Sequence, residues 1–480
     1  MVLDAEQCWR AFSAHDSRFD GRFFVGVATT RIYCRPVCSV RAPQRRNCRF
    51  FPSAAAAEAE GFRPCLRCRP ELAPGHAAVD ANRRLAQAAA ELIDDGRLGP
   101  EARLPELARA LGVTDRHLRR VFRDEFGVAP VEYAQTQRLL LAKRLLTDTA
   151  LPVIDVAMAS GFASLRRFNH LFRARYRMTP GSLRRAAPAV PRDHLAFDLA
   201  FRPPYDWDAM RDFLARRAIA GVEAVEGRRY LRTVRIERAG KVLSGWISVA
   251  PSRKPRALAV AASASLAPAL PAVLARVKHL FDLACHPEDV ATVLGPLAEA
   301  HPGLRLPGAF DGFETAVRAI LGQQVTVKAA SAIAGRFAAA FGEPVETPHE
   351  ALATLFPHAA RVAGLEPSAI AATGIIASRA RAIAALAREV AEGRLALEPS
   401  ADVDATLERL HAIPGIGPWT AQYIAMRALA WPDAFPHPDV AVLKAMREKN
   451  ARRAAERAAQ WRPWRAYAVL HLWKSLEDSR

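Results

Sequence analysis

The sequence predicts a multidomain, mainly α chain, and three observations carry this. At 480 residues it is too long for one hydrophobic core, so three or four domains are expected. Two closely spaced cysteine pairs, Cys34/Cys38 and Cys65/Cys68, stand near the start. Basic helix–turn–helix patterns follow, and near the C-terminus a turn, Ile413-Pro414-Gly415-Ile416-Gly417, joins two apolar helical segments. The expected parts are a small metal-bound α/β module (1–75), an all-α tandem helix-turn-helix (76–187), an α+β antiparallel-sheet domain (192–300) and an all-α domain (301–480).

The charge balance narrows the function. Lys+Arg number 68 against 49 Asp+Glu, a net charge of +19. Residues 1–191 hold 31 basic and 19 acidic residues, so the first part is the more basic for its length. Nucleic acid is the natural partner of such a chain. No apolar run is long enough to span a membrane and no export signal is read, so a cytoplasmic, nucleoid-associated protein is expected. Five of the seven cysteines lie from Cys34 to Cys68, which argues for metal or reactive thiols over disulfides.

Four thiolates as Cys34-x3-Cys38 and Cys65-x2-Cys68 suit tetrahedral Zn²⁺, and a module this small needs a metal to fold. The surrounding words, FVGVATTRIYCRPVCSVRAP and GFRPCLRCRPE, resemble the zinc module of the Ada family, which repairs methylphosphotriesters in DNA. The resemblance makes Cys34 both zinc ligand and methyl acceptor, with Cys38, Cys65 and Cys68 as the other ligands. Zinc keeps such a thiol deprotonated and nucleophilic. Four thiolates and one Zn²⁺ sum to −2, and methylation of one leaves −1, so methylation is expected to raise DNA affinity. Cys48 lies outside the ligand pattern, as a free thiol or an alternative ligand, and the free thiol is the preferred reading.

Ala81–Ile93 reads as an amphipathic helix. Leu104–Gly112 then gives a short helix and a glycine turn, with Thr114 placed to cap a helix carrying Arg116, Arg119 and Arg120. The pattern recurs at Val153–Phe162, with Ser164 capping a helix that carries Arg166, Arg167 and Asn169. Val131–Leu146 reads as one long connecting helix. Two units in tandem with basic second helices suit major-groove reading. Together with the ending Phe172 to Arg184 they resemble the AraC-type DNA-binding domain, which implies promoter DNA and RNA polymerase as partners. Pro188–Pro191 is the expected linker to the second half.

In the second half, Tyr230–Ile236 and Val242–Val249 alternate like strands, and Pro271–Leu283 reads as a helix. At the glycine turn, Gly415 and Gly417 permit positive φ and close backbone approach. Pro418 fits a first helical turn, and the free N–H groups there suit a phosphate. Trp419 and Tyr423, at i and i+4, share one helix face, and a short loop delivers Asp439. A phosphate clamp, an aromatic platform and a carboxylate are what base excision from DNA requires.

This stretch resembles the helix-hairpin-helix/GPD superfamily of DNA glycosylases, specifically its AlkA-type 3-methyladenine glycosylases, from about Leu195 to the C-terminus. The fold implied for 301–480 is therefore an all-α helix-hairpin-helix glycosylase domain. The resemblance makes Asp439 the catalytic carboxylate and Trp419, Tyr423 and Trp473 base-pocket rings. It places Gly415 and Gly417 at a DNA phosphate, with a monovalent cation on the hairpin carbonyls. Phe213 falls where the family puts a pocket ring, a plain core phenylalanine being the other reading. Gln324 takes the place of the family's leucine wedge, and Lys474 stands where a tyrosine is usual. The position of the lysine used by strand-cutting relatives is Trp419 here, so no Schiff base forms and a monofunctional enzyme is expected. Cys285 is the only cysteine of this half, which excludes a four-cysteine iron–sulfur cluster. The expected substrate is double-stranded DNA bearing alkylated purines such as 3-methyladenine or 7-methylguanine. A transcription regulator whose C-terminal half binds damage without cutting is the competing reading.

Overall fold

The computed structural model describes residues 4–16, 19–40, 42–73, 81–96, 98, 104–186, 194–238 and 240–478. The expected linker Pro188–Pro191 lies outside them. The chain forms two compact units, coarser than the four expected parts: Met1–Pro203 with Ser252–Lys278 and Leu283–His286, and Pro204–Pro251 with His279–Asp282 and Pro287–Arg480.

The first unit opens on a four-stranded sheet. Strand Phe24–Val27 pairs antiparallel with Ile32–Cys34 on one side and Cys48–Phe51 on the other, and Ile32–Cys34 pairs parallel with Arg63–Pro64. Gly26 is required there, because a Cβ would lie 2.6 Å from the Phe51 ring and 2.9 Å from that of Phe62. The sheet is too small to bury itself. Tyr33, Phe51 and Phe62 instead share one apolar core with Leu92, Phe122, Phe126, Tyr133 and Leu140 of the helices that follow. Those helices run Ala81–Asp94, Leu104–Ala110, Asp115–Phe126, Pro130–Asp148, Val153–Ala159, Leu165–Tyr176 and Pro180–Ala186. The two expected caps form: Thr114 accepts from the His117 amide and Ser164 from the Arg167 amide, each at 3.2 Å. Strands His194–Ala200 and Ala257–Ser263 pair antiparallel in the same unit.

The second unit contains an antiparallel meander, Glu223–Glu226, Arg229–Arg238 and Lys241–Pro251. A helical core in this unit buries Phe313, Val317, Ile320, Phe337, Ile383, Leu386, Leu410 and Ile424 together. Beside this core Arg232 and Arg318 meet Glu223 and Glu314, all but Arg318 nearly inaccessible to solvent. Two cations and two carboxylates leave this network neutral, which buried charges require. Helices lining the candidate site include Trp207–Ala215, Gly312–Leu321, Val327–Phe341, Pro418–Arg427, Val440–Ala445 and Arg465–Asp478.

Candidate active site and candidate metal centre

In the first unit the sulfurs of Cys34, Cys38, Cys65 and Cys68 all lie within 4.8 Å of one another. Cys34 ends a strand, and a turn in which the Cys38 amide donates to Arg35 O at 3.1 Å brings the second sulfur round. The Cys65 amide donates to Tyr33 O at 3.0 Å, and the Arg35 amide donates to the Cys68 sulfur at 3.3 Å. Hydrogen bonding to Cys38, Cys65 and Cys68, with burial, pushes the Cys34 thiol up. An all-sulfur set at this spacing fits Zn²⁺, and none of the four is in a disulfide. Cys48 lies outside the group, its thiol directed at Gln44 O at 3.6 Å, as the free-thiol reading expects. Sequence reasoning missed the buried pair of Arg35 and Asp20, which fixes the residue next to Cys34.

The helix-turn-helix side chains Arg116, Arg119, Arg120, Arg166, Arg167 and Asn169 are all exposed. Arg120 meets His117 at 3.2 Å, and Arg119 lies 3.9 Å from Asp115. The two second helices thus present exposed basic side chains.

In the second unit a cavity of about 1340 Å³ is lined by Phe213, Gln324, Trp419, Tyr423, Asp439 and Trp473, among others. The hairpin builds one side. Gly415 has φ +95°, a conformation that favours glycine, and a Cβ there would sit tightly against Ala382 at 3.2 Å. Gly417 differs from expectation: its φ is −88° and ψ 178°. Pro418 forces the residue before it into extended backbone, and nothing lies within 4 Å of a Cβ there, so this face of the turn is open. Gln323 bolts the neighbouring loop to the hairpin, donating to Gly415 O and to the Thr420 hydroxyl, both at 2.9 Å.

Asp439 caps the Val440–Ala445 helix, accepting from the Val442 amide at 2.9 Å. The Trp419 indole donates to its Oδ2 at 2.7 Å, and the Trp473 indole to its Oδ1 at 3.1 Å. Thus the two tryptophans, expected as faces for a base, also grip the carboxylate by their edges. Trp419 stacks on Tyr423, with ring centroids 5.3 Å apart and planes 19° from parallel. Tyr423 lies 6.4 Å from Trp473.

The opposite end of the charge scale is also present. The Arg217 guanidinium covers the Phe213 ring at 3.7 Å, Arg427 lies 5.0 Å from the same ring, and Arg427 donates to the Tyr423 hydroxyl at 2.7 Å. Burial lowers Arg217 to about 10, so it is charged at neutral pH. Burial also raises the Tyr423 phenol, but Arg427, Arg217 and Arg318 outweigh this and hold it below its ordinary value. Phe213 is therefore both a cavity wall and a buried platform for the protein's own cations. Lys474, also in the wall, is engaged by Asp478 at 3.1 Å.

Four family models match the chain in order: the metal binding domain of Ada over residues 7–71, a helix-turn-helix domain over 107–186, the AlkA N-terminal domain over 196–311, and the HhH-GPD superfamily base excision DNA repair protein over 317–462. A "Probable bifunctional transcriptional activator/DNA repair enzyme AlkA" of Mycobacterium tuberculosis is 39% identical over 99% of this chain and 97% of its own length. The chain belongs to this bifunctional AlkA family. Its second half is also 39% identical to DNA-3-methyladenine glycosylase 2 of Escherichia coli, over 58% of this chain and 96% of that protein. Among solved structures, a 3-methyladenine DNA-glycosylase from Archaeoglobus fulgidus shares the fold, with a TM-score of 0.50 at 19% identity over 58% of this chain and 97% of that one. Sequence reasoning on the bifunctional AlkA pattern missed Arg217 and Arg427. Each stands four residues after an aromatic pocket residue, the spacing at which a helix brings side chains together.

Proposed function

We propose that the C-terminal half hydrolyses the N-glycosidic bond of alkylated purines such as 3-methyladenine and 7-methylguanine in double-stranded DNA, as a monofunctional DNA-3-methyladenine glycosylase II type enzyme. The N-terminal half accepts a methyl group from a DNA phosphotriester on Cys34 and reads promoter DNA. The observation that carries the first reading is a carboxylate held by three donors at an aromatic-lined cavity.

An alkylated purine is cationic, so it leaves as a neutral base and needs no protonation. The bond from C1′ to the base nitrogen breaks, and its electron pair goes to the base. Positive charge develops on the sugar. Asp439, fixed by Trp419, Trp473 and the Val442 amide, presents a preorganised negative charge to it and orients water for addition at C1′. Trp419, Tyr423 and Trp473 form the aromatic wall for the base, while Gly415 and Gly417 hold a backbone phosphate, and the hairpin carbonyls would hold a monovalent cation. The product is an abasic site, because Trp419 stands where an amine would be needed.

In the N-terminal half, Cys34, Cys38, Cys65 and Cys68 would hold Zn²⁺, which keeps bound sulfur deprotonated. The Cys34 sulfur attacks the methyl carbon, the carbon–oxygen bond breaks, and the phosphodiester leaves with the electron pair. Arg116, Arg119, Arg120, Arg166, Arg167 and Asn169 are the DNA-reading side chains. RNA polymerase contact and nucleoid association complete the regulator reading. No helix among the described residues is long and apolar enough to cross a membrane.

The deciding experiment is base release from methylated duplex DNA by the wild-type chain and by Asp439→Asn. Release by neither, with DNA binding intact, favours a damage-binding regulator.

A further inference from the structure

The expected wedge, Gln324, is exposed in the loop after the Gly312–Leu321 helix, with φ +52°. That left-handed conformation is unusual for a residue with a side chain. It is maintained by the residue before it: the Gln323 side chain is tied to the hairpin, and its carbonyl accepts from Arg379. The loop thus presents a polar tip at the cavity. A polar tip can hydrogen-bond a base that has lost its partner, but it gains little from entering a base stack.

Val440 supplies what Gln324 lacks. It follows Asp439 directly, lines the same cavity, and is 81% exposed. Among the described residues no other exposed large hydrophobic side chain exceeds 56%. Val327, which starts the helix after the Gln324 loop, also lines the cavity and is 41% exposed. Aliphatic side chains left in water beside a DNA-processing cavity match the residues that enter base steps and unstack them.

We infer that Val440 is an apolar wedge for the duplex, and that Val440 and Gln324 divide the work of one plug. Val440 packs against the base pair flanking the flipped nucleotide, and Gln324 hydrogen-bonds the orphaned base. Val440 is a positioning residue: it holds the opened duplex while Asp439 faces the sugar. The occupant is the base stack of double-stranded DNA. This inference rests on the glycosylase reading.

The test compares release of 7-methylguanine from duplex and from single-stranded oligonucleotides by the full chain, as wild type, Val440→Ala and Val440→Leu. A single strand has no stack to open. The ratio of duplex rate to single-strand rate falls roughly tenfold in Val440→Ala, for the loss of two packed methyl groups, and is preserved in Val440→Leu. An unchanged ratio, or equal slowing on both substrates, overturns the wedge. Binding to a duplex with a tetrahydrofuran abasic analogue reads the wedge without any chemistry. Val440→Ala weakens that binding more than binding to intact duplex, and equal weakening of both overturns the inference. Failure of the wild type to release any base while this binding difference persists sinks the glycosylase reading and leaves the wedge standing.

Discussion

Asp439 combines two demands in one side chain. As a helix cap it is bonded to the Val442 amide, and as the cavity's carboxylate it is held by two indole N–H groups. A hydrogen bond to a charged group contributes about 1.5–3 kcal/mol. Trp473→Phe keeps an aromatic wall but removes one donor, so kcat for 7-methylguanine release is expected to fall roughly ten- to a hundredfold. Affinity for abasic-analogue DNA stays within about twofold. If affinity falls and kcat does not, Trp473 serves the base rather than the carboxylate. The identities of these residues were legible in the sequence, but their directions were not. Asp439 lies 20 residues from Trp419 and 34 from Trp473, and nothing local says that both indoles point their edges at it.

At the scale of elements, the parts fixed by neighbouring residues were readable. The Thr114 and Ser164 caps, the left-handed Gly415 and the proline-started helix each follow from a short stretch of chain. The packing partner of the four-stranded sheet was not, because that core joins residues as distant as Phe24 and Leu140. Glu58 sits in this join. It is 1% exposed, accepts from the Tyr33 and Thr136 hydroxyls at 2.9 Å each, and its carbonyl accepts from Arg175 at 3.0 Å. Burial raises its pKa from 4.5 to about 7, against the lowering by Thr136, Tyr33 and Arg175. The folded state thus binds a proton that the unfolded state releases between pH 4.5 and 7. This group's contribution is fully favourable below that window and is lost as pH rises through it. Urea unfolding of the zinc-loaded chain should show Glu58→Gln gaining stability relative to wild type as pH rises from 5 to 8, by at most about 3 kcal/mol. A difference independent of pH contradicts an ionising Glu58.

At the scale of the whole molecule, two DNA-directed activities share one basic chain. The four sulfurs make a centre whose charge changes by one unit on methylation. Methylation of Cys34 should tighten promoter DNA binding and steepen its salt dependence by about one counterion. Equal affinity before and after methylation removes the electrostatic switch. A chelator should remove zinc, and Cys68→Ala should weaken its binding, read by metal titration, because one of four sulfurs is lost. The cavity places a carboxylate on a positively charged protein, and the central claim is that this carboxylate performs base excision. The measurement is 3-methyladenine and 7-methylguanine release from methylated duplex DNA by wild type and Asp439→Asn. Release by wild type, reduced roughly 10²- to 10³-fold in Asp439→Asn with abasic-DNA binding retained, is the expected result. Equal release by both proteins would contradict the account.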